Sequence, residues 1–207
     1  MKGRIIVTAE NSRTPMDWEK RFADDSTPWE RPGLHPAFEH WRDTGAFDDA
    51  GSVIVPGCGR SPELKAFAAL GKSAIGADLS PTALAWQKSS LEQDGLSAEL
   101  IEADILLWRP DEPLDAAYEQ TFLCAIPPRL RTEYEAAVFD WLKPSRKLFA
   151  LFMQKAELGG PPYGCSMDAM RELFPIERWD WPEAEPVAYP HPSLNGKPEL
   201  AVILTRR

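Results

Sequence analysis

Val53-Ile54-Val55-Pro56-Gly57-Cys58-Gly59-Arg60-Ser61-Pro62-Glu63 is a short β-branched run that breaks into a Gly-x-Gly turn and at once into a helix start. Ser61 is a good N-cap, Pro62 suits the first helical position, and Glu63 favours the positive end of the helix dipole. Glycines in such a turn let backbone approach a ligand closely, because no Cβ stands in the way. About 20 residues further on, Ser73-Ala74-Ile75-Gly76-Ala77-Asp78 reads as a second strand that ends in a carboxylate. A glycine loop below and an acid at the next strand end form a layout for gripping a nucleoside, with Asp78 on the ribose hydroxyls.

Working outward, the pattern from Gly51 alternates strand and helix. Strands are expected at 52–56, 73–77, 98–103, 114–123 and 146–153, and helices at 61–70, from Ser80-Pro81 to Gly95, and at 129–142. A short helix near 168–174 and strands near 176–181 and 200–205 follow. This predicts an α/β, Rossmann-like, doubly wound sheet of seven strands, mostly parallel, with an antiparallel hairpin on one edge. Ahead of it, residues 1–50 read as a helical, aromatic segment, with a loose lead-in over 1–13 and helices at Asp17–Phe22 and His35–Thr44. The division expected is therefore a helical lid, 1–50, and a ligand-binding domain, 51–207.

Composition narrows the partners. The net charge of −9 and the lack of any long Lys/Arg cluster count against nucleic acid and anionic membrane surfaces. No apolar run approaches the roughly 20 residues needed to cross a bilayer. Met1–Glu10 has no apolar h-region of a secretory signal. Cys58, Cys124 and Cys165 are odd in number and widely spaced, so neither a disulfide framework nor a metal site is expected. A monomer in reducing cytoplasm is the expectation.

Ligands of open α/β sheets sit beyond the carboxyl ends of the strands. Those ends supply Pro56, Gly57, Cys58 and Gly59, then Asp78 and Leu79, then Asp104 and Ile105, then Thr121 onward. Asp104 could accept from an adenine amino group, with Leu79 and Ile105 on the ring faces. Cys58 reads as a small residue in a tight loop. The third glycine of a dinucleotide fingerprint is Pro62 here, and no Walker lysine follows. S-adenosylmethionine (SAM), with a ribose, an adenine and an amino-acid tail but no phosphates, fits better.

At this point the chain resembles the thiopurine methyltransferase family of SAM-dependent enzymes, in particular the plant-type halide/thiol branch. The resemblance rests on Asp17-Trp18-Glu19-Lys20 with Thr27-Pro28-Trp29, Val55-Pro56-Gly57-Cys58-Gly59 and Gly76-Ala77-Asp78-Leu79-Ser80. It continues in Cys124-Ala125-Ile126, Pro128, Arg131 and Gly159-Gly160-Pro161-Pro162-Tyr163. It implies that Trp18 and Trp29 cover the cofactor, that Asp78 binds its ribose, and that Arg131 stands near the methyl acceptor. Glu119 occupies a position where the family usually shows aspartate, and Pro127 one where it shows a polar residue. Tyr163 could face the acceptor or anchor its loop. Arg131 has a simpler alternative, an ion pair with Glu135 one turn on.

The chemistry implied is transfer of a methyl group to a small soft nucleophile, with S-adenosylhomocysteine as by-product. A thiol of pKa about 8.5 is already a few per cent thiolate at neutral pH, so a dedicated base is optional. An oxygen or nitrogen acceptor is the second reading, with Glu119 or His191 as base. A non-catalytic SAM-binding module is the third. Trp86, Trp108, Trp141, Trp179 and Trp181 read as packing residues, and His35, His40 and His191 as structural or surface ones.

Overall fold

In the computed structural model, which describes residues 13–207, β1 (Ser52–Pro56) lies between β2 (Ser73–Asp78) and β4 (Leu114–Gln120), parallel to both. The loose lead-in expected over 1–13 falls, except for Arg13, outside those residues. The sheet runs β3-β2-β1-β4-β5-β8-β6, with β3 at Glu99–Glu102, β5 at Leu142–Met153, β6 at Trp179–Asp180 and β8 at Pro198–Arg206. β1 to β5 are parallel; β8 is antiparallel to β5 and to β6. Because the order reverses between β1 and β4, a crevice opens at their carboxyl ends, where ligands of such sheets bind.

Period-2 alternation splits the core between two faces. Val53, Val55, Tyr118, Phe149 and Leu151 face one way. There they meet α2 (Pro36–Asp43), α3 (Pro62–Ala69) and α4 (Pro81–Gln93) through Phe38, Trp41, Phe67 and Leu84. Ile54, Ala117, Leu148, Ala150 and Phe152 face the other. α6 (Arg131–Trp141) and α7 (Met167–Leu173) cover them with Tyr134, Val138, Trp141 and Met170. Both Ser-Pro helix starts form as read. Ser61 accepts from the Glu63 amide at 3.3 Å, and Ser80 from the Ala83 amide at 3.1 Å.

Several boundaries differ from the sequence reading. β4 ends at Gln120 rather than Leu123, because Thr121 turns left-handed (φ 67°) and starts the four-residue helix α5 (Phe122–Ala125). The helix expected from 129 begins at Arg131, after a 3-10 turn at Pro128–Leu130. β5 starts at Leu142 and passes through Pro144, with a register shift against β4 that accommodates the proline. The strand expected over 176–181 shrinks to Trp179–Asp180. An eighth strand, β7 (Val187–Pro190), pairs with β8 antiparallel and escaped notice because of its proline-rich surroundings. Among the described residues, no helix is long and apolar enough to cross a membrane.

Candidate active site

The Gly57-Cys58-Gly59 turn holds its shape through three separate ties. Gly57 and Gly59 have φ of 56° and 46°, a region that costs other residues energy. The Cys58 amide donates to Ala77 O at 3.0 Å, fixing the loop to β2. Gln87, fully buried on α4, donates through Nε2 to Gly59 O at 3.0 Å and Ser61 O at 2.9 Å. The glycines make room for aromatic rings. A Cβ on Gly57 would lie 2.4 Å from Phe122, and one on Gly59 2.9 Å from Phe22. Cys58 is buried, and burial raises its thiol pKa well above the ordinary value, as suits a packing residue.

Asp78 stands at the end of β2 with both oxygens engaged. Oδ2 accepts from the Gly59 amide at 2.8 Å and Oδ1 from the Ser80 amide at 2.9 Å. Burial pushes its carboxyl pKa up, against the pull of the Ser80, Gly59 and Leu79 amides. Each carboxylate oxygen has a second lone pair for a hydroxyl arriving from the cavity.

That cavity holds about 740 Å³, within the range of small-molecule sites. Gly57, Cys58, Gly59, Asp78 and Leu79 line it from β1 and β2, and Asp104 and Ile105 from the turn after β3. Thr121, Phe122, Cys124, Ile126 and Met153 line it from beyond β4 and β5. Pro56 is buried as the last residue of β1 and is not part of the lining. Two carboxylates, the apolar side chains of Leu79 and Ile105 and a glycine turn thus line one space, an arrangement that can take a nucleoside carrying an extended tail.

Trp18, on α1 (Trp18–Ala23), and Trp29 also line the cavity, their rings edge to face at 5.6 Å. The segment carrying them is docked by polar bonds between residues distant in sequence. Glu19 accepts from Ser80 Oγ at 2.6 Å and from Thr82 Oγ1 at 2.5 Å, at the start of α4. Arg60 pairs with Glu30 and Asp25, each at 2.7 Å. Arg31 pairs with buried Glu199, which His35 also meets at 3.2 Å. His191 is buried and lines the cavity. Trp86, expected to be a packing residue, is 40% exposed and lines the cavity from α4, a helix otherwise read only for its buried face.

Arg131, Glu119 and Tyr163 do not reach the cavity. Arg131 is buried and donates to Leu123 O at 3.3 Å and Gly164 O at 3.0 Å, with Cys165 Sγ at 3.3 Å from Nη2. Its alternative partner, Glu135, instead accepts from Trp179 Nε1 at 2.6 Å and pairs with Arg178 at 3.1 Å. Tyr163 donates its amide to Cys124 O at 2.6 Å, so backbone anchors it. These carbonyl partners come from α5 and from the loop after β5, far apart in sequence, which no local spacing announces.

Glu119 is fully buried and accepts from the Leu123 amide at 2.8 Å and the Tyr134 hydroxyl at 2.5 Å. Burial pushes its pKa to about 7, against those bonds and the pull of Arg131. Between the ordinary value, 4.5, and about 7, the folded chain keeps a proton that the unfolded chain has lost. Stability should therefore fall by roughly 3 kcal/mol as pH rises through that window, and level off above it. Glu119→Gln should remove this contribution. Denaturation at pH 5 and pH 8 checks it, and an identical pH difference in both proteins would refute the assignment.

Comparison with known proteins agrees with this fold. The sequence model of the Thiopurine S-methyltransferase (TPMT) family matches residues 13–192. Thiocyanate methyltransferase 1 of Arabidopsis thaliana is 28% identical over 211 residues, covering 96% of this chain and 91% of the relative. Probable thiol methyltransferase 2 of the same plant is 31% identical over 160 residues, covering 76% and 70%. Among solved structures, Burkholderia thailandensis 1,6-didemethyltoxoflavin-N1-methyltransferase, with its substrate and S-adenosylhomocysteine bound, superposes with a TM-score of 0.71. It is 14% identical, covers 90% of this chain and 84% of its own, and shows the shared fold. With its Rossmann-like sheet and family match, the chain belongs to the TPMT family and is a SAM-dependent methyltransferase.

Proposed function

We propose that the chain transfers the methyl group of SAM to a small soft nucleophile: a thiol, bisulfide, thiocyanate, halide or heterocyclic thiol. One observation carries the reading. The wall beyond β4 and β5, which the adenosine-binding ends of β1 to β3 leave to the acceptor, is mostly apolar and, among the described residues, offers no available base. Phe122, Ile126, Met153, Pro161, Pro162 and Leu194 form it. Of the titratable groups there, Cys124 has its thiol pKa pushed well up by burial and donates to Thr121 O at 3.2 Å. His191 has its pKa lowered by burial, and its Nδ1 already accepts from the Ser193 amide at 3.2 Å. A nucleophile that ionises on its own near neutral pH needs no such base, whereas an alcohol does.

In this reading Asp78 takes the ribose, Asp104, Leu79 and Ile105 the adenine, and Trp18 and Trp29 close over the cofactor. Trp faces attract a cation by roughly 0.5–2 kcal/mol, which suits a sulfonium. The cofactor supplies an electrophilic methyl, and holding the nucleophile in line with it does most of the work. Arg131, Glu119 and Tyr163 act as positioning residues: Glu119 orients α5 through Leu123, and Arg131 and Tyr163 hold the loop after β5 against it. Three free, buried cysteines fit a reducing cytoplasm. A panel of bisulfide, thiocyanate, iodide, thiophenol, 6-mercaptopurine and catechol, with headspace and liquid detection, tests the proposal. Methylated sulfur or halide products are expected and methylated catechol is not; the reverse pattern would overturn it.

The N-terminal segment has the part of a lid. Hydrogen exchange across Trp18–Trp29 should slow when S-adenosylhomocysteine is added, because ligand contacts join the few polar bonds that dock it. Equal exchange in both states would make the segment a fixed wall.

A further inference from the structure

Arg13, Arg21, Arg31 and Arg60 line the cavity. Three have carboxylate partners: Arg13 pairs with Glu133, Arg31 with Glu199, and Arg60 with Asp25 and Glu30. Arg21 has none among the described residues. Its Nη1 donates to Ser26 Oγ at 3.0 Å and its Nε to Met16 Sδ at 3.4 Å, both uncharged. Among the described arginines that line the cavity, Arg21 is thus the one without an ion pair, although the chain as a whole carries −9.

Its place on the fold selects the anion. Arg21 neighbours Phe22, whose ring lies 2.9 Å from where a Cβ on Gly59 would stand, so this turn of α1 rests on the glycine loop. The adenosine is accounted for by the ends of β2 and β3, which leaves the glycine loop to the amino-acid tail. That tail carries one carboxylate, and Asp78, the acid nearest the loop, already accepts from two amides.

We propose that Arg21 binds the α-carboxylate of the cofactor's amino-acid tail, an inference that rests on SAM occupying this cavity. A guanidinium offers two parallel N–H donors to a carboxylate, and such charge-assisted pairs are stronger than neutral hydrogen bonds. Arg21 would then tie the Trp18–Trp29 segment to the cofactor, so that the cover is held by what it covers.

Calorimetry on the full-length protein tests this with four titrations: wild type and Arg21→Gln, each with S-adenosylhomocysteine and with its decarboxylated analogue. Arg21→Gln should weaken S-adenosylhomocysteine binding at least about tenfold. Removing the ligand's carboxylate should weaken wild-type binding by a similar factor, and the two losses should not multiply. The ligand-side comparison uses wild-type protein alone, so it stands even where the variant folds poorly. Multiplying losses, or Arg21→Gln affinity within twofold of wild type, would overturn the proposal. So would unchanged S-adenosylhomocysteine binding with a loss of kcat/KM confined to thiocyanate, which would give Arg21 to an anionic acceptor. Failure of wild type to bind S-adenosylhomocysteine at all would instead remove the cofactor from the cavity, and the inference with it.

Discussion

Asp78→Ala is expected to weaken S-adenosylhomocysteine binding by about 1–3 kcal/mol, roughly 5- to 150-fold in Kd. Two losses combine. The ribose loses its acceptor, and the Gly59 and Ser80 amides lose the oxygens that now hold them at 2.8 and 2.9 Å. Releasing Gly59 loosens the turn itself, so the melting temperature should fall as well. Asp78→Asn keeps one acceptor oxygen and should fall between wild type and Asp78→Ala on both measures. Titration calorimetry beside thermal melts separates the two losses. An Asp78→Ala protein that binds as wild type does would remove this carboxylate from the site.

Arg131→Ala should destabilise the fold by about 3 kcal/mol or more. The side chain is buried and donates to carbonyls of α5 and of the loop after β5, tying the two segments together. Removing it strands those carbonyls and withdraws the positive charge that lowers the Glu119 pKa. The pH window of Glu119-linked destabilisation should therefore extend higher in the variant. Urea denaturation at several pH values reads both effects. A variant with wild-type stability and a tenfold loss of kcat/KM for anionic acceptors alone would return Arg131 to direct contact with the acceptor.

The parts of the fold legible in the sequence were those written locally. The β1 run, the Gly-x-Gly turn and the two Ser-Pro helix starts each follow from neighbouring residues, and the alternation of strand and helix then implies the parallel sheet. Helix α5 was hidden because Thr121, a β-branched residue, adopts a left-handed conformation that its type disfavours, and tertiary contacts impose it. β7 was hidden by Pro186 and Pro190, which mark a loop unless the strand lies at an edge. For the proposed site, Asp78 and Asp104 were legible as candidates from the strand ends, and Trp18 and Trp29 from the family resemblance. Gln87 and Glu19 were not, since each works on a partner that only the folded chain brings near. Arg131 drew attention through the family resemblance, yet its partners are carbonyls that carry no sequence signal.

The central claim is that the cavity over β1, β2 and β3 is a SAM site, and direct titration of the wild-type chain with S-adenosylhomocysteine tests it most simply. One ligand per chain with low micromolar or tighter affinity is expected, and neither NAD nor ATP should displace it, because the glycine turn leads into Pro62 and offers no phosphate-binding lysine. Absence of binding heat, or displacement of the ligand by NAD, would contradict the account.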